Sequence, residues 1–246
     1  MKNKSLSPIP SEAIILAGGL GKRLRKTVPD FPKPMAPIGD RPFLAHLLAT
    51  LAKQGILRVI LSVGYKNQYF IDYFTDNYMG MEIIYAIESE PLGTAGGIRL
   101  SLEMVKGESV FILNGDTFFN VPLVQLDKTF IANNARVVMA VKPMKNCSRY
   151  GAVHVSKDGN NRILGFKEKG QVDAGLINGG VFLVSADLRY DLKNCFSFET
   201  DFLQQQVTQM TMSAVENDGY FIDIGIPEDY AAAQKFLVKQ THKVIA

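Results

Sequence analysis

Four apolar, β-rich runs punctuate the first half of the chain: AIILA at 13–17, RVILSVGY at 58–65, EIIYAI at 82–87 and VFILNGD at 110–116. Runs without polar alternation bury both faces, which is the pattern of parallel strands rather than of half-exposed antiparallel ones. Helical patterns lie between them. PFLAHLLATLAKQG puts Phe43, Leu47, Leu48 and Leu51 on one face before a stop at Gly55. A polar-aromatic helix is predicted near 67–78 and another after Gly97. After VVMAVKP (137–143) the strands shorten to AVHVS and RILGFKE, joined by the turn KDGNN. The alternation is the one expected of a mostly parallel sheet covered by helices on both faces.

Composition narrows what such a sheet can serve. At 246 residues, 47% hydrophobic and 21% charged, the chain can bury a large core as one domain, or as one domain with a small extension. The net charge of +3 is spread along the sequence and gives no basic face for nucleic acid or an anionic membrane. Cys147 and Cys195 have no CxxC or Cys/His spacing, which argues against zinc or a disulfide framework and fits a reducing cytoplasm. No stretch reaches membrane-spanning length, and the start, MKNKSLSPIPSE, lacks the apolar core of a secretion signal. Residues 1–11 read as a tail before a single domain over 12–246. His46, on the apolar helix, is expected to be a core or half-exposed residue without chemistry.

In open α/β sheets ligands sit at the carboxyl ends of the strands. The first such end is LAGGLGKRLR (16–25), three glycines followed by Lys22, Arg23 and Arg25, with Lys26 next in the chain. It is not a Walker A loop, because Leu16 stands where the first glycine is needed and Arg23 where Ser or Thr should follow the lysine. It is not a dinucleotide fingerprint either, since Leu24 replaces the third glycine and the next strand ends in Gly64-Tyr65 with no acid for a ribose. In PKPMAP (32–37), however, Lys33 is held between two prolines that restrict an otherwise floppy cation. Backbone N–H groups of Gly18, Gly19 and Gly21, with Arg23 as a fork and Lys33 as a point charge, would cradle a polyphosphate.

A G-G-x-G-x-R loop followed by K-P resembles the sugar-nucleotide pyrophosphorylases, a family of nucleotidyltransferases. The likeness continues through EPLGTAGGI (90–98), LNGD (113–116), YGAV (150–153), FKEK (166–169), INGG (177–180) and FIDIGIPEDY (221–230). It implies a Rossmann-like three-layer α/β/α nucleotidyltransferase fold with a mixed, mostly parallel central sheet. It also implies a nucleotide-binding part over about 12–120 and a sugar-phosphate part over about 121–246. By resemblance, Leu16, Ala17, Gly18, Gly19, Gly21, Glu88, Pro91, Gly93 and Thr94 meet the nucleotide. Gly151, Glu168, Lys169, Asn178 and Gly179 meet the sugar phosphate, Glu168 at the hydroxyls and Lys169 at the phosphate. Arg23, Lys33, Asp116 and Asp223 are the implied catalytic set, with Asp116 and Asp223 holding Mg²⁺. The motifs are most similar to those of the subgroup that makes GDP-activated heptose; mannose 1-phosphate guanylyl transfer, or thymidylyl or uridylyl transfer to a hexose 1-phosphate, stays open.

The chemistry explains those residue types. A nucleoside triphosphate carries about four negative charges and a sugar phosphate about two, so their encounter demands cations and metal. Asp116 and Asp223 offer hard oxygen ligands suited to Mg²⁺, and the neighbouring Gly115 and Gly225 would let substrate approach the backbone. The reaction expected is in-line attack of the sugar-phosphate oxygen on the α-phosphorus of GTP, with pyrophosphate leaving and no protein nucleophile. Asp116 could instead make only an Asx turn, and Asp223 only a buried ion pair. Asn178 and Gly179 could shape a bulge, and Gly151 a turn. Glu88, at the spacing from Gly93 where pyrimidine-specific relatives carry glutamine, can accept both N1–H and the 2-amino group of guanine; the alternative is a solvated carboxylate. FSFETDFL (196–203) reads as a helix start capped by Ser197, without a catalytic role. The partners expected are GTP and a sugar 1-phosphate, with a homo-oligomer possible.

Overall fold

The computed structural model describes residues 9–19, 28, 30–145, 147, 149–167, 170 and 174–245, the last six of these as backbone only. In chain order the strands are β1 (Glu12–Leu16), β2 (Pro37–Ile38), β3 (Arg41–Pro42), β4 (Arg58–Val63), β5 (Asn77–Tyr78), β6 (Met81–Ile87), β7 (Ser109–Asn114), β8 (Thr117–Phe119), β9 (Val137–Met144), β10 (Ala152–Val155), β11 (Ile163–Lys167), β12 (Gly175–Ser185), β13 (Met212–Glu216) and β14 (Phe221–Asp223). The α-helices are α1 (Phe43–Lys53), α2 (Gln68–Phe74), α3 (Gly93–Leu102), α4 (Leu123–Ala132), α5 (Gln204–Gln206) and α6 (Pro227–Ile245). Short 3₁₀ turns cover Lys33–Met35 and Ala186–Tyr190, and a π-helical turn covers Phe198–Leu203.

The expected mixed sheet is present, with parallel strands at its centre. One path runs β11-β10-β12-β7-β1-β4-β6-β5, and β9 and β13 complete the ten strands. The four apolar runs form the block β7-β1-β4-β6, in which every pairing is parallel. Antiparallel β12, β10 and β11 extend it from the second half of the chain. Alternate residues of β1 serve opposite faces. Ala13 and Ile15 join the cluster under α1, α2, α4 and α6, whereas Ile14 joins Ile60, Ile112 and the α3 residues Ala95, Ile98 and Leu102. Both faces are therefore dry, and this is why these runs carry no polar alternation.

Two helix boundaries differ from the sequence expectation. The helix expected near 67–78 stops at Phe74, because Thr75 adopts φ 52° and Asn77–Tyr78 pairs back on β6 through Met79 and Gly80, both at positive φ. The Tyr85 hydroxyl secures that exit by donating to the Thr75 carbonyl at 2.6 Å. The helix expected after Gly97 begins four residues earlier, at Gly93. Gly96 and Gly97 do not interrupt it; a Cβ on Gly97 would lie 2.7 Å from Ser62 Oγ and 2.8 Å from Glu88 Oε1, so the glycines let α3 press against the strand ends. His46 matches its expectation: it is buried, and its Nε2 lies 3.1 Å from the Ile38 carbonyl.

Candidate active site

A cleft of about 810 Å³ opens where β1, β4 and β7 end, and it is lined there by Leu16, Ala17, Gly18, Gly19, Ser62, Asn114 and Asp116. Loop-forming polar groups gather at this edge because the parallel strands all point toward it. The far wall comes from the second half of the chain: Arg149, Tyr150, Phe182, Phe196, Phe198, Glu199, Asp223 and Gly225.

The two aspartates meet through a small antiparallel ribbon. β8 follows Asp116 directly and pairs with β14 so that Thr117 faces Asp223, Phe118 faces Ile222 and Phe119 faces Phe221. The Ile224 amide donates to the Asp116 carbonyl at 3.0 Å. Lys33, on the 3₁₀ turn between its prolines, fills the gap: Nζ lies 2.6 Å from Asp116 Oδ2 and 3.1 Å from Asp223 Oδ1. Burial pulls the ammonium toward a lower pKa, but the charges and hydrogen bonds of the two carboxylates outweigh it and hold Lys33 above its ordinary value. Asp116 Oδ1 also receives the Thr117 hydroxyl at 3.3 Å. Asp223 is thus ion-paired, as its alternative reading required, and yet it lines the open cleft.

The two neighbouring glycines have reasons of their own. A Cβ on Gly225 would stand 3.0 Å from Asp223 Oδ1 and 3.2 Å from Lys33 Nζ, so its absence clears the ion-pair cluster. Gly115 differs from the expectation of substrate access: its missing Cβ makes room for the Leu16 carbonyl, which accepts its amide at 2.9 Å.

On the opposite side Glu88 is no solvated charge. Its Oε2 accepts the Leu92 amide at 3.2 Å, and its Oε1 lies 3.4 Å from the Ser62 hydroxyl. A Cβ on Gly18 would come 3.1 Å from the same Oε1, whereas Gly19 faces open space. The carboxylate therefore fixes the turn 88–92 while still lining the cleft beside Pro91, Gly93 and Thr94. Gly93 adopts φ 72°, and a Cβ there would lie 2.2 Å from the Phe196 carbonyl, which accepts the Ala95 amide. Thr94 Oγ1 accepts the Phe198 amide at 2.8 Å. These contacts fasten the segment 196–199 to the start of α3.

Of the sequence-derived set, Leu16, Ala17, Gly18, Gly19, Lys33, Glu88, Pro91, Gly93, Thr94, Asp116 and Asp223 converge on the cleft. Gly151, Asn178 and Gly179 stand behind its wall. Gly151 turns the chain at φ 74° next to Tyr150. Asn178 Nδ2 donates to Glu199 Oε1 at 2.7 Å, and its Oδ1 accepts the Gly180 amide. Gly179 lacks a Cβ because Phe119 would lie 2.3 Å from it. Here β12 shifts register against β9, between Asn178 and Phe182, so the bulge expected as an alternative exists. Arg23, Gly21, Glu168 and Lys169 lie outside the described residues. Sequence reasoning missed Phe196, Phe198 and Glu199 as cleft residues, although the Ser197 cap it named is real, accepting the Thr200 amide at 3.1 Å.

Comparison with known proteins agrees with this geometry. Residues 12–240 match the family described as Nucleotidyl transferase. The chain is 48% identical over 228 residues to D-glycero-alpha-D-manno-heptose 1-phosphate guanylyltransferase of Aneurinibacillus thermoaerophilus, covering 92% of this chain and 98% of that one. It is 30% identical over 227 residues to a mannose-1-phosphate guanyltransferase of Yarrowia lipolytica, covering 89% of this chain but 62% of that protein. The crystal structure of HddC from Yersinia pseudotuberculosis complexed with GMP-PN superposes with a TM-score of 0.82 at 35% identity, over 92% of this chain and 99% of that one. On the match over residues 12–240 and on this likeness, the chain belongs to the nucleotidyl transferase family.

Proposed function

We propose that the protein transfers GMP from GTP to a sugar 1-phosphate, D-glycero-α-D-manno-heptose 1-phosphate, releasing pyrophosphate and forming a GDP-heptose for surface polysaccharide in the cytoplasm. The observation that carries this reading is the convergence of Asp116 and Asp223 on one cationic point, Lys33 Nζ, inside a cleft large enough for both substrates. Two relatives named for guanylyl transfer to this heptose 1-phosphate, at 48% and 47% identity, support the choice of sugar over mannose, whose guanyltransferase relative is 30% identical.

The two carboxylates suit a hard divalent ion. They are oxygen donors, they face a common point that already holds a positive charge, and substrate phosphates can complete the coordination. Mg²⁺ held there by Asp116 and Asp223 would neutralise phosphate charge. Lys33 supplies a second positive charge beside the two carboxylates, and the backbone amides of Gly18 and Gly19 flank the triphosphate side. Arg23 and Lys169 are assigned to the triphosphate and to the sugar phosphate on sequence grounds. Ser62, Glu88 and the turn Glu88 holds form the base end of the cleft, where a carboxylate edge favours the donors of guanine. No side chain needs to become a nucleophile, since the acceptor phosphate brings its own oxygen.

Pyrophosphate release from GTP, ATP, UTP and dTTP against heptose, mannose and glucose 1-phosphates tests the reading. GTP with the heptose phosphate should give the highest kcat/KM. A preference for UTP or dTTP would remove the guanylyl assignment, and a preference for mannose 1-phosphate would move the acceptor.

A further inference from the structure

Lys66 stands in the turn between β4 and α2 with φ 58°, in the left-handed region where glycine or asparagine costs least. A lysine gains nothing from that backbone, so the reason for it lies in where the side chain goes. Its ammonium crosses to a segment 36 residues earlier in the chain and donates to the Asp30 carbonyl at 2.7 Å. On the way it lies over two rings, 5.6 Å from the centroid of Tyr65 and 5.4 Å from that of Tyr69. Tyr69 in turn meets Phe31 edge to face, with ring centroids 5.5 Å apart. Asp30 and Phe31 are thereby tied, one after the other, to the start of α2.

The tied segment leads straight into the turn that presents Lys33. That turn closes on itself, the Met35 amide donating to the Pro32 carbonyl at 2.8 Å and the Ala36 amide to the Lys33 carbonyl at 3.1 Å. Its far side is fixed by the buried Pro34 and Met35 and by the Phe43 amide, which donates to the Ala36 carbonyl at 2.9 Å. On its near side stand the Lys66 and Tyr69 contacts. Lys33 Nζ must meet two carboxylates set by a ribbon from elsewhere in the chain, so a shift of either flank misplaces the charge. Misplacement by about 1 Å is enough to slow a reaction severely. We propose that Lys66 is a positioning residue for the transfer, clamping the chain ahead of Lys33 onto the start of α2 and so setting the ammonium between Asp116 and Asp223. The inference rests on the transferase reading above, and it extends the machinery to a residue that does not line the cleft.

The test compares the wild-type chain with Lys66→Met, Lys66→Arg and Lys66→Gly in steady-state pyrophosphate release from GTP and heptose 1-phosphate, with thermal melts to establish folding. Lys66→Met should lower kcat about tenfold, whereas Lys66→Arg, which keeps a cation and donors, should stay within about threefold of wild type. Lys66→Gly relieves the left-handed backbone, so it should melt no lower than wild type and yet lose kcat as Lys66→Met does. In a Lys33→Met background the Lys66→Met change should cost less than about twofold, because the charge it positions is gone. Wild-type kcat in folded Lys66→Met or Lys66→Gly, or an undiminished loss in the Lys33→Met background, overturns the proposal. If the wild type releases no pyrophosphate with any sugar 1-phosphate, the transferase reading itself has failed. Amide hydrogen exchange then still decides the clamp: the Met35 and Ala36 amides should exchange about tenfold faster or more in Lys66→Met than in wild type, and equal rates overturn it.

Discussion

Lys33 Nζ bridges Asp116 and Asp223, at 2.6 Å from one and 3.1 Å from the other, and so joins the end of β7, the end of β14 and a proline-bounded turn at one point. The ribbon of β8 and β14 sets the two carboxylates side by side, and Gly225 leaves room for the ammonium. Three charges drawn from distant parts of the chain are thereby concentrated at one point of the cleft.

Neutralising either aspartate should stop turnover without unfolding the protein. Asp116→Asn and Asp223→Asn keep the shape of the side chain and are expected to lower kcat by about 10²-fold or more, as removal of a metal ligand does. Chelation of divalent ions should abolish pyrophosphate release, and added Mg²⁺ should restore it. Wild-type turnover in either folded variant would detach the cluster from the chemistry.

Lys33→Met leaves both carboxylates without their cation. Turnover should fall by about 10²-fold through loss of transition-state charge stabilisation, whereas the melting temperature should change little because the cluster is partly solvated. A large loss of stability with near-normal activity would make Lys33 a structural brace alone.

Glu88 separates two roles in one residue. If its carboxylate edge reads the base, Glu88→Gln should cost about 1–3 kcal/mol in the kcat/KM preference for GTP over UTP and dTTP. If it serves only to hold the Leu92 amide and the turn 88–92, all three nucleotides should lose equally. The ratio of kcat/KM values in wild type and variant distinguishes these outcomes.

Gly93 is constrained twice, by φ 72° and by the Phe196 carbonyl in the space a Cβ would occupy. Gly93→Ala should destabilise the fold by about 1–3 kcal/mol and shift the segment 196–199 that walls the cleft, so both the denaturation midpoint and substrate KM should respond. An unchanged midpoint would show that this contact carries no strain.

His46 gives the fold a pH dependence apart from the site. Burial lowers its pKa from the ordinary 6.5, partly opposed by the bond to the Ile38 carbonyl. The native state therefore resists protonation that the unfolded chain accepts. Stability is fully present above pH 6.5 and declines as the pH falls through that value toward the lowered native pKa, where the loss levels off. His46→Asn should reduce the drop in urea midpoint between pH 8 and pH 5.5; an equal drop in both proteins would remove His46 from the account.

Much of this architecture was legible because it rests on period and punctuation. The runs of β1, β4 and β7 are buried on both faces, and their composition says so directly, whereas β6, nearer the sheet edge, leaves Glu82 and Ile87 exposed. Lys33 between prolines and Asp223 between isoleucines were readable as constrained charges. What escaped were relationships settled by tertiary contact. The glycines of α3 look like breaks in sequence but serve close packing against Ser62 and Glu88. Glu199 and Phe196 reach the cleft because Asn178, Gly93 and Thr94 tie their segment down, and no local pattern encodes that pairing.

The central claim is that this cleft moves a guanylyl group onto a sugar phosphate, and the fate of the α-phosphorus tests it most directly. Incubated with heptose 1-phosphate and GTP labelled at the α-phosphorus, the protein should place the label in a GDP-sugar and release unlabelled pyrophosphate intact, dependent on the sugar phosphate. Label recovered as GMP or GDP, or phosphate released without the acceptor, would contradict the account.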